Sequence, residues 1–241
     1  MKKNSPTPRE RPANSLRPIS VERGVAPYAE GSCVISFGAT RVLCTASVEE
    51  GVPGWRRGTG EGWLTAEYAM LPRATRTRTS RERAQLGGRT QEIQRLIGRS
   101  VRAMLDDFKF GEFTIKLDCD VLVADGGTRT AAITGASIAI VDAFNWMVTN
   151  DMLPSTPIRR RVAAVSVGII DGQARLDLDY EEDVRAEVDM NVVMSSEGKF
   201  VEVQGTGEHG TFDRGQLDQL IELAIAGIRQ LDQIQTNSLS A

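Results

Sequence analysis

Residues 113–130 read FTIKLDCDVLVADGGTRT, and this stretch decides the fold. Phe113, Ile115, Leu117, Cys119, Val121 and Val123 recur at every second position, the period of a half-buried β-strand. Asp125-Gly126-Gly127 breaks the strand, and a long apolar helix is expected from about Thr130 to Val148. A strand that feeds a helix through two glycines leaves unsatisfied N–H groups at the helix start, where the dipole favours an anion. Thr128 adds a hydroxyl and Arg129 a planar fork of donors, a combination suited to inorganic phosphate or a phosphate ester. It is not a Walker A loop, because the Gly-Lys-Ser/Thr ending is absent. Read alone, the stretch is equally an ordinary strand-to-helix turn with Thr128 or Thr130 as N-cap.

Upstream, alternation over 32–37 and 41–48 around Gly38-Ala39 predicts a hairpin, and 63–70 predicts another strand. Residues 71–88 are basic and lack apolar periodicity, so a mobile loop or frayed helix is expected. Gly87-Gly88-Arg89-Thr90 opens the next helix, whose Ile93, Leu96, Ile97, Val101, Met104 and Leu105 share one face. It is a second candidate anion turn, or simply a helix start. Downstream, strands are expected at 162–170, 174–178, 187–194 and 200–203. A helix over about 213–234 should follow, with a loose polar tail from Gln235. Strands followed by helices, twice over, predict an α+β (mixed α/β) fold with internal duplication. Four prolines within residues 1–18 suggest a flexible arm over 1–15, leaving 16–241 as one domain.

With 241 residues, 41% hydrophobic and 25% charged, the chain can bury a sizeable core and is not disordered as a whole. Its uninterrupted apolar runs fall short of the ~20 residues of a membrane span, so no membrane partner is expected. The first six residues carry charge and no apolar run, so no secretory signal is expected. Cys33, Cys44 and Cys119 lack metal-ligand spacing and read as small buried hydrophobes in a reducing, cytoplasmic compartment. The single histidine, His209, excludes a Ser-His-Asp triad elsewhere and any site built on two His ligands. It stands in Gly207-Glu208-His209-Gly210, which reads as a surface turn.

The net charge of −3 hides two opposite blocks. From Arg56 to Arg102 there are eleven Arg and no Lys against four acids, the footprint of a phosphate or polyanion partner or else a solvated face. From Asp171 to Asp213 there are twelve acids against three bases. Within that block, Asp177-Leu178-Asp179-Tyr180-Glu181-Glu182-Asp183 and then Asp189 offer carboxylates without His or Cys, a set suited to Mg²⁺. Glu181 and Glu182 read as surface. Asp189 lies between Val188 and Met190 in a strand, where a bare carboxylate is costly, so it is the residue to watch.

Taken together, the segments resemble the ribonuclease PH family of phosphate-dependent 3′-to-5′ exoribonucleases. The resemblance rests on Glu49-Glu50-Gly51-Val52-Pro53, Gly62-Trp63-Leu64-Thr65-Ala66-Glu67-Tyr68, Gly87-Gly88-Arg89-Thr90 and Leu117-Asp118-Cys119-Asp120. It continues through Asp125-Gly126-Gly127-Thr128-Arg129-Thr130, Asp189-Met190-Asn191-Val192-Val193-Met194 and Glu202-Val203-Gln204-Gly205-Thr206, and spans about residues 11–230. It implies a duplicated unit of mixed sheets packed with helices, in a hexameric ring built as a trimer of dimers. It further implies that Arg89, Gly127, Thr128 and Arg129 hold inorganic phosphate as co-substrate, and that Asp183 and Asp189 are catalytic through Mg²⁺. Arg56, Arg57, Arg73, Arg76, Arg78, Arg81 and Arg83 would grip RNA. The implied substrates are tRNA precursors, trimmed beyond their 3′ CCA ends with release of nucleoside diphosphates. The reaction would be reversible, with rRNA processing as a further role. The rival reading is a non-catalytic RNA-binding ring subunit, which would lack some of Arg89, Thr128, Arg129, Asp183 and Asp189; all five are present.

Overall fold

The computed structural model describes residues 11–81 and 87–240. Two sheets sandwich one helix. The first sheet comprises β1 (Ile19–Arg23), β2 (Gly31–Phe37), β3 (Thr40–Glu50), β4 (Trp63–Met70) and β5 (Phe113–Val123), in the order β1-β2-β3-β5-β4. The second comprises β6 (Val162–Ile170), β7 (Gln173–Leu176), β8 (Val188–Ser195) and β9 (Phe200–Gly207), in the order β7-β6-β8-β9. All pairings are antiparallel except β4 with β5.

That parallel pair is joined by α1 (Gly88–Arg102), so β4, α1 and β5 form a βαβ crossover. Its apolar stripe is buried as the spacing predicts, through Ile93, Leu96, Ile97 and Val101. α2 (Thr128–Thr149) lies between the sheets against β2, β3 and β6. From Thr130 to Ile140 every residue of α2 is buried, so the helix is apolar or small on every side there. By length and composition it could cross a membrane, yet most of that apolar stretch is packed inside the protein, as suits a core helix. α4 (Arg214–Ser240) covers β6, β7 and β8.

The expected repetition of strands followed by a long helix is present. The second half has no counterpart of α1, because only the four-residue α3 (Tyr180–Asp183) separates β7 from β8. Two local expectations are corrected. The tail from Gln235 is not loose: α4 runs on, and buried Gln235 donates Nε2 to the carbonyls of Thr134 and Val162 at 3.0 and 2.9 Å. Glu182 is not a surface residue: it closes a capping box with Asp179 and pairs with Arg175 and Arg11 at 3.1 and 3.2 Å. Of the expected arm, residues 1–10 lie outside the described residues, and from Arg11 onward the chain contacts the second half. The three cysteines sit side by side across β2, β3 and β5, buried and unbridged.

Candidate active site

A crossover carries its helix N-terminus back over the carboxyl ends of its strands, where α/β folds bind ligands. Here β4 ends at Met70 and β5 at Val123, while α1 starts at Gly88 and α2 at Thr128. Gly126 and Gly127 make the turn between β5 and α2 at φ of 76° and 64°. A Cβ on Gly126 would stand 2.5–2.7 Å from backbone atoms of Leu178, Asp179 and Tyr180, so the turn can rest directly on the acidic segment. Arg17 fastens it there. Its Nη1 donates to the Asp125 carbonyl at 2.6 Å, while Nε and Nη2 grip buried Asp177 at 3.0 and 2.7 Å.

The N-cap of α2 is Gly127, not Thr128 or Thr130, and no side chain caps the helix. The first helical bond runs from the Ala131 N–H to the Gly127 carbonyl. The N–H groups of Thr128, Arg129 and Thr130 therefore have no intrahelical acceptor. Thr130 Oγ1 turns back to the Gly127 carbonyl at 2.9 Å, and Thr128 Oγ1 shares a proton with Tyr68 Oη at 2.8 Å. When the tyrosine donates, the Thr128 proton is free for an anion.

One cavity of about 350 Å³ is lined by Arg89, Gly127, Thr128, Arg129, Asp183 and Asp189, every phosphate-binding and catalytic residue expected from the sequence. The Arg129 fork is held by Nη1 to Glu92 and Gln204 at 3.1 and 3.2 Å. Its Nε and Nη2 take no acceptor among the described residues. Asp189 is half-buried on β8, and its Oδ1 is buried without a hydrogen-bond partner. Burial, then the charge of Asp183, pushes its carboxyl up to about 6 against the pull of Arg129 and Arg89. Burial also raises Asp183, again against Arg89 and Arg129. Two guanidiniums and a bare helix N-terminus thus face two carboxylates that resist ionisation, an arrangement complete only when an anion, a proton or a cation enters.

The cavity has further walls that the sequence reading did not assign to a site: Ser166, Asn191, Glu208 and His209. His209 is exposed, as its turn predicts, but at the rim of this cavity. A polar residue within the apolar run of β6 was the available signal for Ser166; Asp177 stood at the head of the acidic run, whereas Arg17 carried no signal.

The expected RNA-binding arginines separate. Arg73, Arg76, Arg78 and Arg81 are exposed, and Arg76 lines a second cavity that opens beside the first and shares Arg89, Gly127, Thr128 and Asp183 with it. Arg56 and Arg57 stand beyond the other end of β4. Arg57 is exposed, whereas the Arg56 guanidinium is stacked among Trp55, Trp63 and Phe108, 4.7–5.4 Å from their centroids. Arg83 lies outside the described residues.

Fold and site together place a cavity suited to a phosphate group at the ends of a βαβ crossover. Comparison with known proteins makes this specific. Residues 15–144 match the first domain, and 160–227 the second, of the 3′ exoribonuclease family described as RNase_PH and RNase_PH_C. Ribonuclease PH of Rhodococcus erythropolis is 59% identical over 94% of this chain and 88% of its own. That of Nocardia farcinica is 56% identical over 94% and 90%. Rice Rrp46 superposes with a TM-score of 0.78 at 18% identity, covering 96% of this chain and 99% of its own. An Archaeoglobus fulgidus exosome chain, from a structure with RNA bound to the active site, gives 0.79 at 20% over 92% and 90%. These two likenesses show the fold alone. The chain belongs to the ribonuclease PH family of 3′ exoribonucleases. Its activity is phosphate-dependent trimming of tRNA 3′ ends and, in reverse, nucleotidyl transfer.

Proposed function

We propose that Arg89, Arg129, the Thr128 hydroxyl and the N–H groups that open α2 hold inorganic phosphate as the nucleophile. The observation that carries this is the convergence of residues 89, 127–129, 183 and 189, from three distant segments, on one cavity. A phosphate oxygen attacks the phosphorus of the last phosphodiester of an RNA 3′ end. The new P–O bond forms as the bond to the 3′ oxygen of the preceding ribose breaks, and that oxygen takes up a proton. The products are a nucleoside diphosphate and an RNA one nucleotide shorter. Because the bond formed resembles the bond broken, synthesis from nucleoside diphosphates follows from the same geometry. The two guanidiniums cancel charge that would otherwise keep two anionic phosphates apart.

Asp183 and Asp189 are the pair that would hold Mg²⁺. The donor set fits: both are carboxylates, and Asp189 Oδ1 is buried and unpartnered. Among the described residues no three such side chains converge as a metal site, so the ion would keep waters and substrate oxygens, as Mg²⁺ commonly does. Bound there, it would neutralise charge on the attacked phosphate and the leaving oxygen.

The physiological reading is trimming of tRNA precursors beyond the CCA end in the cytoplasm, by a homohexamer built as a trimer of dimers. Three buried free thiols suit a reducing compartment. Edge strand β9, with Phe200 and Val203 exposed, suits a subunit contact. The exposed Arg73, Arg76, Arg78 and Arg81, with Arg76 lining the adjoining cavity, suit an RNA path.

The test is Arg129→Ala assayed on 3′-extended tRNA with and without phosphate. Release of nucleoside diphosphate should fall at least a hundredfold at fixed phosphate, with RNA affinity within about threefold of wild type. Normal phosphate saturation in the variant would refute the assignment.

A further inference from the structure

β6 reads VAAVSVGII and every one of its residues is buried. Ser166 is its sole polar side chain, and a hydroxyl in such a strand is costly unless both of its hydrogen-bonding capacities are used. One is used: Ser166 Oγ accepts from the Leu178 N–H at 3.0 Å. The other is not. The hydroxyl proton meets no acceptor among the described residues, although the residue is only 3% exposed. The side chain lines the same cavity as Arg89, Thr128, Arg129 and Asp189. Its Oγ stands 3.8 Å from where a Cβ on Gly127 would be, beside the uncapped start of α2.

We propose that Ser166 is a further phosphate-contacting residue: its hydroxyl donates a hydrogen bond to the anion held by Arg89, Arg129 and the α2 N-terminus. This rests on the phosphate site assigned above. The Leu178 N–H occupies one lone pair of Oγ and leaves the proton free for an acceptor in the cavity that the side chain lines. A donor held in this way matches an anion. With Asp189 on β8, Ser166 brings the second sheet to a cavity whose guanidiniums come from α1 and α2. The anion would therefore lock the two halves together across the cavity.

The experiment measures steady-state phosphorolysis of a 3′-extended tRNA with phosphate and RNA varied separately, for wild type, Ser166→Ala, Ser166→Cys and Arg129→Ala. Thermal melts with and without inorganic phosphate accompany it. Cysteine keeps the serine shape with a larger sulfur atom, and both accepts and donates only weakly. Both Ser166 variants should raise the KM for phosphate about tenfold, leave the KM for RNA within twofold, and lose part of the phosphate-induced rise in Tm. If Arg129→Ala loses phosphate saturation while both Ser166 variants keep the wild-type KM for phosphate, the Ser166 hydrogen bond is refuted and the phosphate site stands. A parallel loss of Tm, RNA affinity and turnover in both Ser166 variants would make Ser166 a prop for the Leu178 turn, which also refutes the hydrogen bond. If Arg129→Ala keeps normal phosphate saturation, the phosphate site falls and the Ser166 hydrogen bond with it.

Discussion

Replacing Asp189 by Asn tests whether the active site is held under electrostatic stress. The carboxyl moves from 3.8 to about 6 on folding, with burial the first cause and Asp183 the second. A shift of about two units corresponds to about 3 kcal/mol. The native state holds the proton more tightly than the unfolded chain does. Below pH 3.8 both states are protonated and the native state bears no penalty. As pH rises from there through about 6, the native carboxyl must ionise beside Asp183 in a half-buried wall, and stability is lost. Above that window the whole cost is present. Asn cannot titrate, and its neutrality also relieves Asp183. A buried amide brings a constant cost of its own, so the informative quantity is the change with pH. The stability of Asp189→Asn relative to wild type should rise by about 3 kcal/mol between about pH 4 and about pH 8. In a domain of this size that is a relative gain of about 6–12 °C in Tm. Urea titrations of both proteins across that range, in phosphate-free buffer with a chelator, measure it directly. The same variant should lose phosphorolysis. Stability curves that run parallel across the range would refute the stress.

Arg17→Met should destabilise the protein by about 3 kcal/mol, because it strips buried Asp177 of its main partner, and urea titration reads this. It should also raise the KM for phosphate by removing the Arg17 bond to the Asp125 carbonyl, so an unchanged KM would show that the turn holds without it. Replacing Arg73, Arg76 and Arg78 by Ala should weaken RNA binding and reduce the slope of log K against log salt by about one for each RNA phosphate no longer neutralised. Equal affinity and slope at several salt concentrations would make them a solvated face.

The elements legible in the sequence were those whose partners are periodic. The alternation from Phe113 to Val123 and the stripe on α1 announce which face meets the core, because a strand or helix must bury one face wherever it docks. The turn after β5 was legible as a candidate anion site for a similar reason: two glycines, a threonine and an arginine at a strand-to-helix junction suit an anion within five residues, and equally an ordinary helix start. What failed were single polar residues whose burial depends on a distant partner. Glu182 looks like surface until Arg11 and Arg175 close over it. Gln235 looks like a frayed tail until it meets two carbonyls of the core.

By itself, then, the sequence determined the strands other than β1, the long helices, and which residue types were present at the candidate anion turn and in the acidic block. Local spacing and side-chain chemistry suffice for that. Only the tertiary structure decided that residues 89, 128 and 129 share a wall with residues 183 and 189, and that Arg56 is packed among aromatic rings. It also placed a serine from the second sheet against the Gly126-Gly127 turn. Those facts depend on which sheet edges and helix ends the crossover and the α2 sandwich bring together. No local pattern encodes the meeting of segments tens of residues apart.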